Sequence, residues 1–306
     1  MHIPIFEGVG TAIVTPFDDK NKVNFDRFGE LIEFQIANDV DALIVCGTTG
    51  EPSTLDEKEY YEVCEQSIEK VAGRIPVILS TGSNNTAVAI KRTKKAEEFG
   101  ADGLLVITPY YNKTSQLGLI KHYEAICGST NLPVILYNVP SRTGMSIELD
   151  TYNELAKIPN IVGIKEASGN IAYMARIISK FGPRFDIYSG NDEMIVPAMS
   201  LGAKGVISVT SNVIPDVIFD ICEFCLDHNF TEGRKLQLEY LDLIDALFSE
   251  VSPIPVKAAL RLMNYDVGLP RPPLYELSFD KLAKLQKIMW NHNLISQSTT
   301  PPKIYW

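Results

Sequence analysis

The 306-residue sequence contains no apolar run long enough to span a bilayer, and its opening residues, MHIPIFEGVG, form no basic leader. Both absences lead to the expectation of a cytoplasmic protein. A Lys/Arg cluster of the density needed to track phosphates is also lacking. With a formal charge of −10, the sequence argues against a nucleic-acid partner. A small anionic substrate stays compatible with that charge, because one local arginine outweighs the global field. No GxxxxGK[ST] or HExxH occurs, and none of His2, His122, His228 and His292 pairs with another at ligand spacing, so neither cofactor nor metal is expected. The five cysteines are an odd count scattered through apolar segments, which suits reduced, buried thiols better than a disulfide framework. Cys222 and Cys225 lie in a helical pattern without a second pair, and read as core residues one turn apart rather than a metal or redox motif.

What is present is a soluble globular composition, 45% hydrophobic and 22% charged, arranged in a repeated pattern. Short apolar runs that read as strands occur at Gly8–Pro16, Asp41–Cys46, Pro76–Ser80, Asp102–Thr108, Pro133–Tyr137, Ile161–Lys165, Phe185–Ser189 and Gly205–Val209. Between them lie helical spacings: Phe25–Asn38, Asp56–Val71 with Asp56 as N-cap and Glu59 three residues on, Asn84–Phe99, Ser115–Cys127, Glu148–Lys157, Asn170–Lys180, Asp192–Ser200 and Ile214–His228. Eight strand–helix units without a gap demand a parallel sheet covered by helices, and favour a closed α/β barrel, the (β/α)8 or TIM barrel, over an open doubly wound sheet. The open sheet is weakened further because Gly8-Val9-Gly10 precedes or lies within the first strand instead of opening a helix. Residues 1–229 are expected to form the barrel and residues 230–306 a small C-terminal helical domain. Helices are predicted there at Thr231–Phe248, around Pro255–Asn264 and at Ser278–Asn291. The tail from Ser296 is too poor in apolar residues to fold alone, although Ile304–Trp306 could dock on a neighbour.

In such a barrel the residues just past each strand face the active site. Lys165 ends the sixth strand after Ile161, Val162 and Ile164, where an ammonium is hard to solvate; desolvation favours a neutral amine able to attack a carbonyl. The alternative is a lysine that reaches water or pairs with Glu166. Tyr137 ends the neighbouring fifth strand and is a credible proton donor and acceptor. GTTGE (47–51) is either a glycine-bracketed turn or a seat where the hydroxyls and N–H groups of Thr48 and Thr49 meet a small carboxylate. Tyr110 and Tyr111 are packing aromatics or part of the mouth. Arg142 is a surface residue or a bidentate partner for a substrate carboxylate. Gly190 follows the seventh strand, and Ile207 and Ser208 sit on the eighth. The convergence of these residues favours an imine-forming Lys165.

GTTGE (47–51), TPYYN (108–112), LYNVPSRTG (136–144), GIKEASGN (163–170), YSGND (188–192), GVISV (205–209) and PIPVK (253–257) together resemble the dihydrodipicolinate synthase family of pyruvate-dependent Schiff-base aldolases and lyases, over roughly residues 4 to 290. Arg142 points to the synthases within it. The resemblance implies a lyase in which Lys165 forms a Schiff base with pyruvate and the enamine adds to L-aspartate-4-semialdehyde, in lysine and diaminopimelate biosynthesis. It implies that Tyr137 shuttles protons through Thr48 and Tyr111, that Thr49 and the backbone near Ile207 seat the pyruvate carboxylate, that Gly190 lines the pocket, and that Arg142 binds the semialdehyde. It also implies a homotetramer built from dimers in which Tyr111 completes the neighbouring subunit's site. Members inhibited by lysine carry histidines and a glutamate where this chain has Glu57, Tyr60 and Val88, although Asn84 and Tyr110 are retained, so weak or absent feedback is expected. Two other readings stay open: another aldolase or lyase of the same family acting on a sugar acid, and a non-catalytic barrel used for binding. GLPRPPLYE (268–276) has no functional reading.

Overall fold

The computed structural model of the chain describes residues 4–296 and residue 299. Eight parallel strands close into a barrel in strict sequence order: β1 Gly8–Ala12, β2 Ala42–Val45, β3 Val77–Ser80, β4 Gly103–Ile107, β5 Val134–Asn138, β6 Ile161–Glu166, β7 Asp186–Ser189 and β8 Gly205–Ser208, with β8 pairing back onto β1. The open-sheet alternative is thereby excluded. The strands are buried along their length except at Ile107, the half-buried last residue of β4, as a parallel sheet covered on its outer face requires.

Alternation along the strands divides the apolar residues into two layers. A small inner cluster fills the barrel with Phe6, Ala12, Ala42, Ile44, Ile78, Leu105, Ile135, Tyr137, Tyr188 and Ile207. The large outer cluster, including Leu43, Val45, Leu104, Val106, Leu136 and Ile164, joins the sheet to the helices. Near the start of β1, Phe6 stacks on Tyr188 with ring centroids 4.4 Å apart, and the Tyr188 hydroxyl donates to the Phe6 carbonyl at 2.8 Å. Gly10 makes this possible, since a Cβ there would fall 2.8 Å from the Phe6 ring.

The helices follow the predicted order, and their ends show the expected chemistry. Asp56 and Glu59 form a reciprocal capping box at Glu57–Val71, with the Glu59 N–H donating to Asp56 at 2.9 Å and the Asp56 N–H to Glu59 at 3.2 Å. Three departures concern segmentation. The stretch predicted as one helix over Thr231–Phe248 divides at Tyr240 into Phe230–Glu239 and Leu241–Leu247. Asp192–Met194 is a 3₁₀ turn ahead of the helix Ile195–Ser200. The predicted loop after β5 contains a helical turn, Pro140–Thr143, started by proline at its first position and ended by Gly144 at φ +70°. The remaining helices, Ile254–Leu262 and Phe279–Asn291, pack together beside the barrel. All five cysteines are buried free thiols. No helix among the described residues is long and apolar enough to cross a membrane. The tail segment Ile304–Trp306 lies outside the described residues.

Replacing Phe6 by alanine removes a buried ring from the inner layer. We expect a loss of about 3 kcal/mol in unfolding free energy, read by denaturant titration.

Candidate active site

At the C-terminal ends of the strands a cavity of about 170 Å³ is lined by Thr48, Thr49, Tyr137, Arg142, Lys165 and Gly190, six of the residues singled out from sequence. A larger cavity of about 710 Å³ lies elsewhere, among residues 17–21 and 261–276, and no lysine lines it.

Lys165 is 6% exposed. The β5–β6 register sets it directly opposite Tyr137, and its Nζ lies 4.5 Å from the centre of the Tyr137 ring. No carboxylate among the described residues pairs with it. Glu166, the partner considered from sequence, points to the other side of the sheet. There its Oε2 accepts from Asn138 Nδ2 at 2.8 Å and its Oε1 from the Ser168 N–H at 2.7 Å. Burial raises the Glu166 carboxyl above its ordinary range, opposed by those hydrogen bonds. Asn138 Oδ1 in turn accepts from the Ile147 N–H at 3.1 Å. The pair Asn138–Glu166 therefore ties β5 to β6 one residue beyond the pair Tyr137–Lys165.

Gly190 is a close-approach glycine. A Cβ there would fall 3.0 Å from Lys165 Cε and 2.5 Å from the Ala167 methyl.

GTTGE forms a tight 3₁₀ turn at Thr48–Gly50. Its internal bonds use the N–H groups of Gly50 and Glu51, so those of Thr48 and Thr49 are the ones available to an anion. Opposite, Arg142 lies within the helical turn Pro140–Thr143 and its Nη2 donates to the Ser252 carbonyl at 3.4 Å. At β8 the cavity lining begins just past the strand. Ile207 belongs to the inner apolar cluster, and Val209 lines the cavity in its place. The Val209 N–H is held by Asp192 Oδ2 at 3.0 Å, which also accepts from the Thr210 N–H and hydroxyl at 2.9 Å each. Burial raises the Asp192 carboxyl, and these bonds oppose the rise.

Tyr111 stands apart from the others. It is 92% exposed, has φ +68° and does not line the cavity. Among the lining residues not named as site candidates from sequence, Phe248 and Ser252 come from beyond the eight strand–helix units. Neither follows a strand, so the barrel rule could not find them; the one pointer was the adjoining PIPVK segment, quoted for the resemblance but given no place in the site.

Chemically the cavity joins an unpaired primary amine, a phenol beside it, a carboxylate-sized set of N–H and hydroxyl groups, and an arginine at the rim. That is the equipment of imine chemistry on a small keto acid. The model of the dihydrodipicolinate synthetase family matches residues 5–292. The 4-hydroxy-tetrahydrodipicolinate synthase of Acetivibrio thermocellus is 51% identical over 295 residues, covering 96% of this chain and 100% of its own length. Among solved structures, the dihydrodipicolinate synthase of Aquifex aeolicus superposes with a TM-score of 0.93 at 39% identity, over 96% of this chain and 100% of that one. A monomeric dihydrodipicolinate synthase variant does so with a TM-score of 0.92 at 40% identity, over 95% and 98%.

Substituting Gly190 by alanine drives a methyl against Lys165 Cε and the Ala167 methyl. We expect kcat/KM to fall by about tenfold or more while the unfolding free energy falls by about 1–3 kcal/mol, measured by steady-state kinetics and denaturation on one preparation.

Proposed function

The chain belongs to the dihydrodipicolinate synthetase family, and on that premise we propose that its barrel mouth condenses pyruvate with L-aspartate-4-semialdehyde through a Schiff base on Lys165. The observation that carries this reading is the position of Lys165: a nearly buried amine with no carboxylate partner among the described residues, in register with a phenol, lining the cavity at the strand ends.

The Lys165 amine attacks C2 of pyruvate, and the carbinolamine loses water to give the imine. Loss of a proton from C3 gives the enamine, whose C3 forms the new bond to the aldehyde carbon of the semialdehyde. The amino group of the second substrate then attacks C2, closing the ring and expelling Lys165. Tyr137 moves protons at each stage, relayed through Thr48 and Tyr111. Thr49 and the backbone near Ile207 seat the pyruvate carboxylate, Gly190 leaves room beside the lysine, and Arg142 takes the semialdehyde carboxylate. The reaction serves lysine and diaminopimelate biosynthesis in the cytoplasm.

The high exposure of Tyr111 and its distance from the cavity lining support an assembly in which it enters a neighbour's site, in a homotetramer built from dimers. Feedback by lysine is weak or absent. Glu57 is already ion-paired with Lys91, Tyr60 is buried with its hydroxyl donating to the Ser80 carbonyl at 2.9 Å, and Val88 brings no charge. A cationic amino acid finds no free carboxylate among those three positions.

Borohydride reduction in the presence of pyruvate is expected to leave a covalent adduct on Lys165, located by mass spectrometry, and Lys165→Ala is expected to abolish both adduct and turnover. An adduct without turnover of L-aspartate-4-semialdehyde would overturn the assignment of the second substrate. For lysine, an inhibition constant at or above the millimolar range is expected; a much lower one refutes the feedback reading.

A further inference from the structure

Behind the cavity lies a second lysine that the reaction does not use. Lys257 Nζ is 2.5 Å from Glu51 Oε1, and both side chains are 1% exposed. Lys257 Nζ also lies 4.0 Å from the centre of the Phe17 ring, and Arg271 Cζ lies 4.2 Å from the same ring. Removing two charges from water costs more than their attraction readily returns, and well-packed apolar residues of similar size often do as well or better. The cost is visible in Lys257 itself: burial outweighs the nearby carboxylate and lowers its pKa to about 8. Stability alone is a poor reason for this pair.

Its location supplies another. Glu51 is the last residue of GTTGE and is held in the left-handed region at φ 55°, ψ 43°, where its N–H donates to the Thr48 carbonyl at 3.2 Å. Its second oxygen accepts from the Arg271 N–H at 2.9 Å, and Arg271 is itself forked onto Glu59 at 2.6 and 2.7 Å. Gly50, next in the turn, accepts from the Thr15 hydroxyl at 2.7 Å. Lys257 sits in the first turn of Ile254–Leu262, directly after Ser252, the carbonyl that receives Arg142. The pair thus spans the turn carrying Thr48 and Thr49 and the segment standing behind Arg142.

We propose that Glu51–Lys257 is a positioning pair for the reaction, fixing the Thr48–Gly50 turn and the Ser252 support of Arg142 in the geometry that receives the two substrate carboxylates. This rests on the function proposed above for Thr49 and Arg142. Neither Glu51 nor Lys257 lines the cavity.

The test uses the full chain in three forms: wild type, E51D, and the double variant E51Q/K257M. For each, the pyruvate concentration giving half-maximal borohydride trapping on Lys165, the KM for L-aspartate-4-semialdehyde and the unfolding midpoint are measured. The double variant leaves no lone buried charge and keeps an acceptor for the Arg271 N–H, so its unfolding midpoint is expected at or above that of wild type. Its half-saturation for pyruvate is expected to rise by about tenfold, with a smaller rise in the semialdehyde KM, because a displaced turn misplaces the carboxylate seat. E51D keeps both charges but shortens the reach, and is expected to raise the pyruvate half-saturation in the same direction; it reads the same quantity if the double variant fails to fold. Wild-type half-saturation in whichever variants fold overturns the proposal and leaves a structural role. No adduct in wild type overturns the function reading instead.

Discussion

The register between β5 and β6 is the constraint on which the site depends. In a parallel ladder each residue on one strand has a fixed neighbour on the next, and successive residues face opposite sides of the sheet. Setting Tyr137 opposite Lys165 puts amine and phenol together inside the barrel, and the same register sets Asn138 opposite Glu166 on the outside. Glu166 is thereby prevented from neutralising the lysine it follows in sequence. The sheet separates the two charges, and the outer pair of hydrogen bonds preserves the register that keeps them apart. A slip of one residue would exchange the faces, placing a carboxylate in the cavity and the lysine among apolar helices.

The two buried lysines show how environment divides one chemical group into two uses. Lys257 lies between a carboxylate and an aromatic ring, which hold its ammonium against the cost of burial and the nearby Arg271. Lys165 has the ring but no carboxylate among the described residues, and a glycine where a side chain would otherwise press on its Cε. Compensation makes the first a fixed strut. Its absence leaves the second free to exchange its bond to hydrogen for a bond to carbon under the proposed reaction.

Much of this was legible in the sequence because the barrel is written locally. Strand, turn and helix recur within short windows, so the periodicity that predicts one unit predicts its neighbours, and residues after each strand fall at the mouth. Lys165, Tyr137, Thr48, Thr49, Arg142 and Gly190 follow from that rule and line the cavity. What was not legible is carried by contacts remote in sequence. Glu51 and Lys257 are separated by most of the chain, and no periodicity relates a turn after β2 to a helix beyond the barrel. Phe248 and Ser252 belong to the same class. The break at Tyr240 was not legible either, because the apolar spacing runs on through it.

This difference in legibility coincides with a difference in how the two ends of the cavity are built. The floor is made by strands, where ladder bonds and inner-layer packing set Lys165 and Tyr137 with little freedom. The rim is made by turns and by segments outside the barrel, so its geometry has to be imposed by individual side chains: Thr15 on Gly50, Asp192 on Val209, Ser252 on Arg142. Under the proposed reaction the covalent step, common to any keto acid that forms an imine, falls on the rigid floor. Selection of the second substrate falls on the rim, at Arg142, whose support comes from outside the barrel. A change in those outer segments can therefore alter the aldehyde accepted without disturbing the amine that does the chemistry, which separates the evolution of specificity from that of the Schiff base itself.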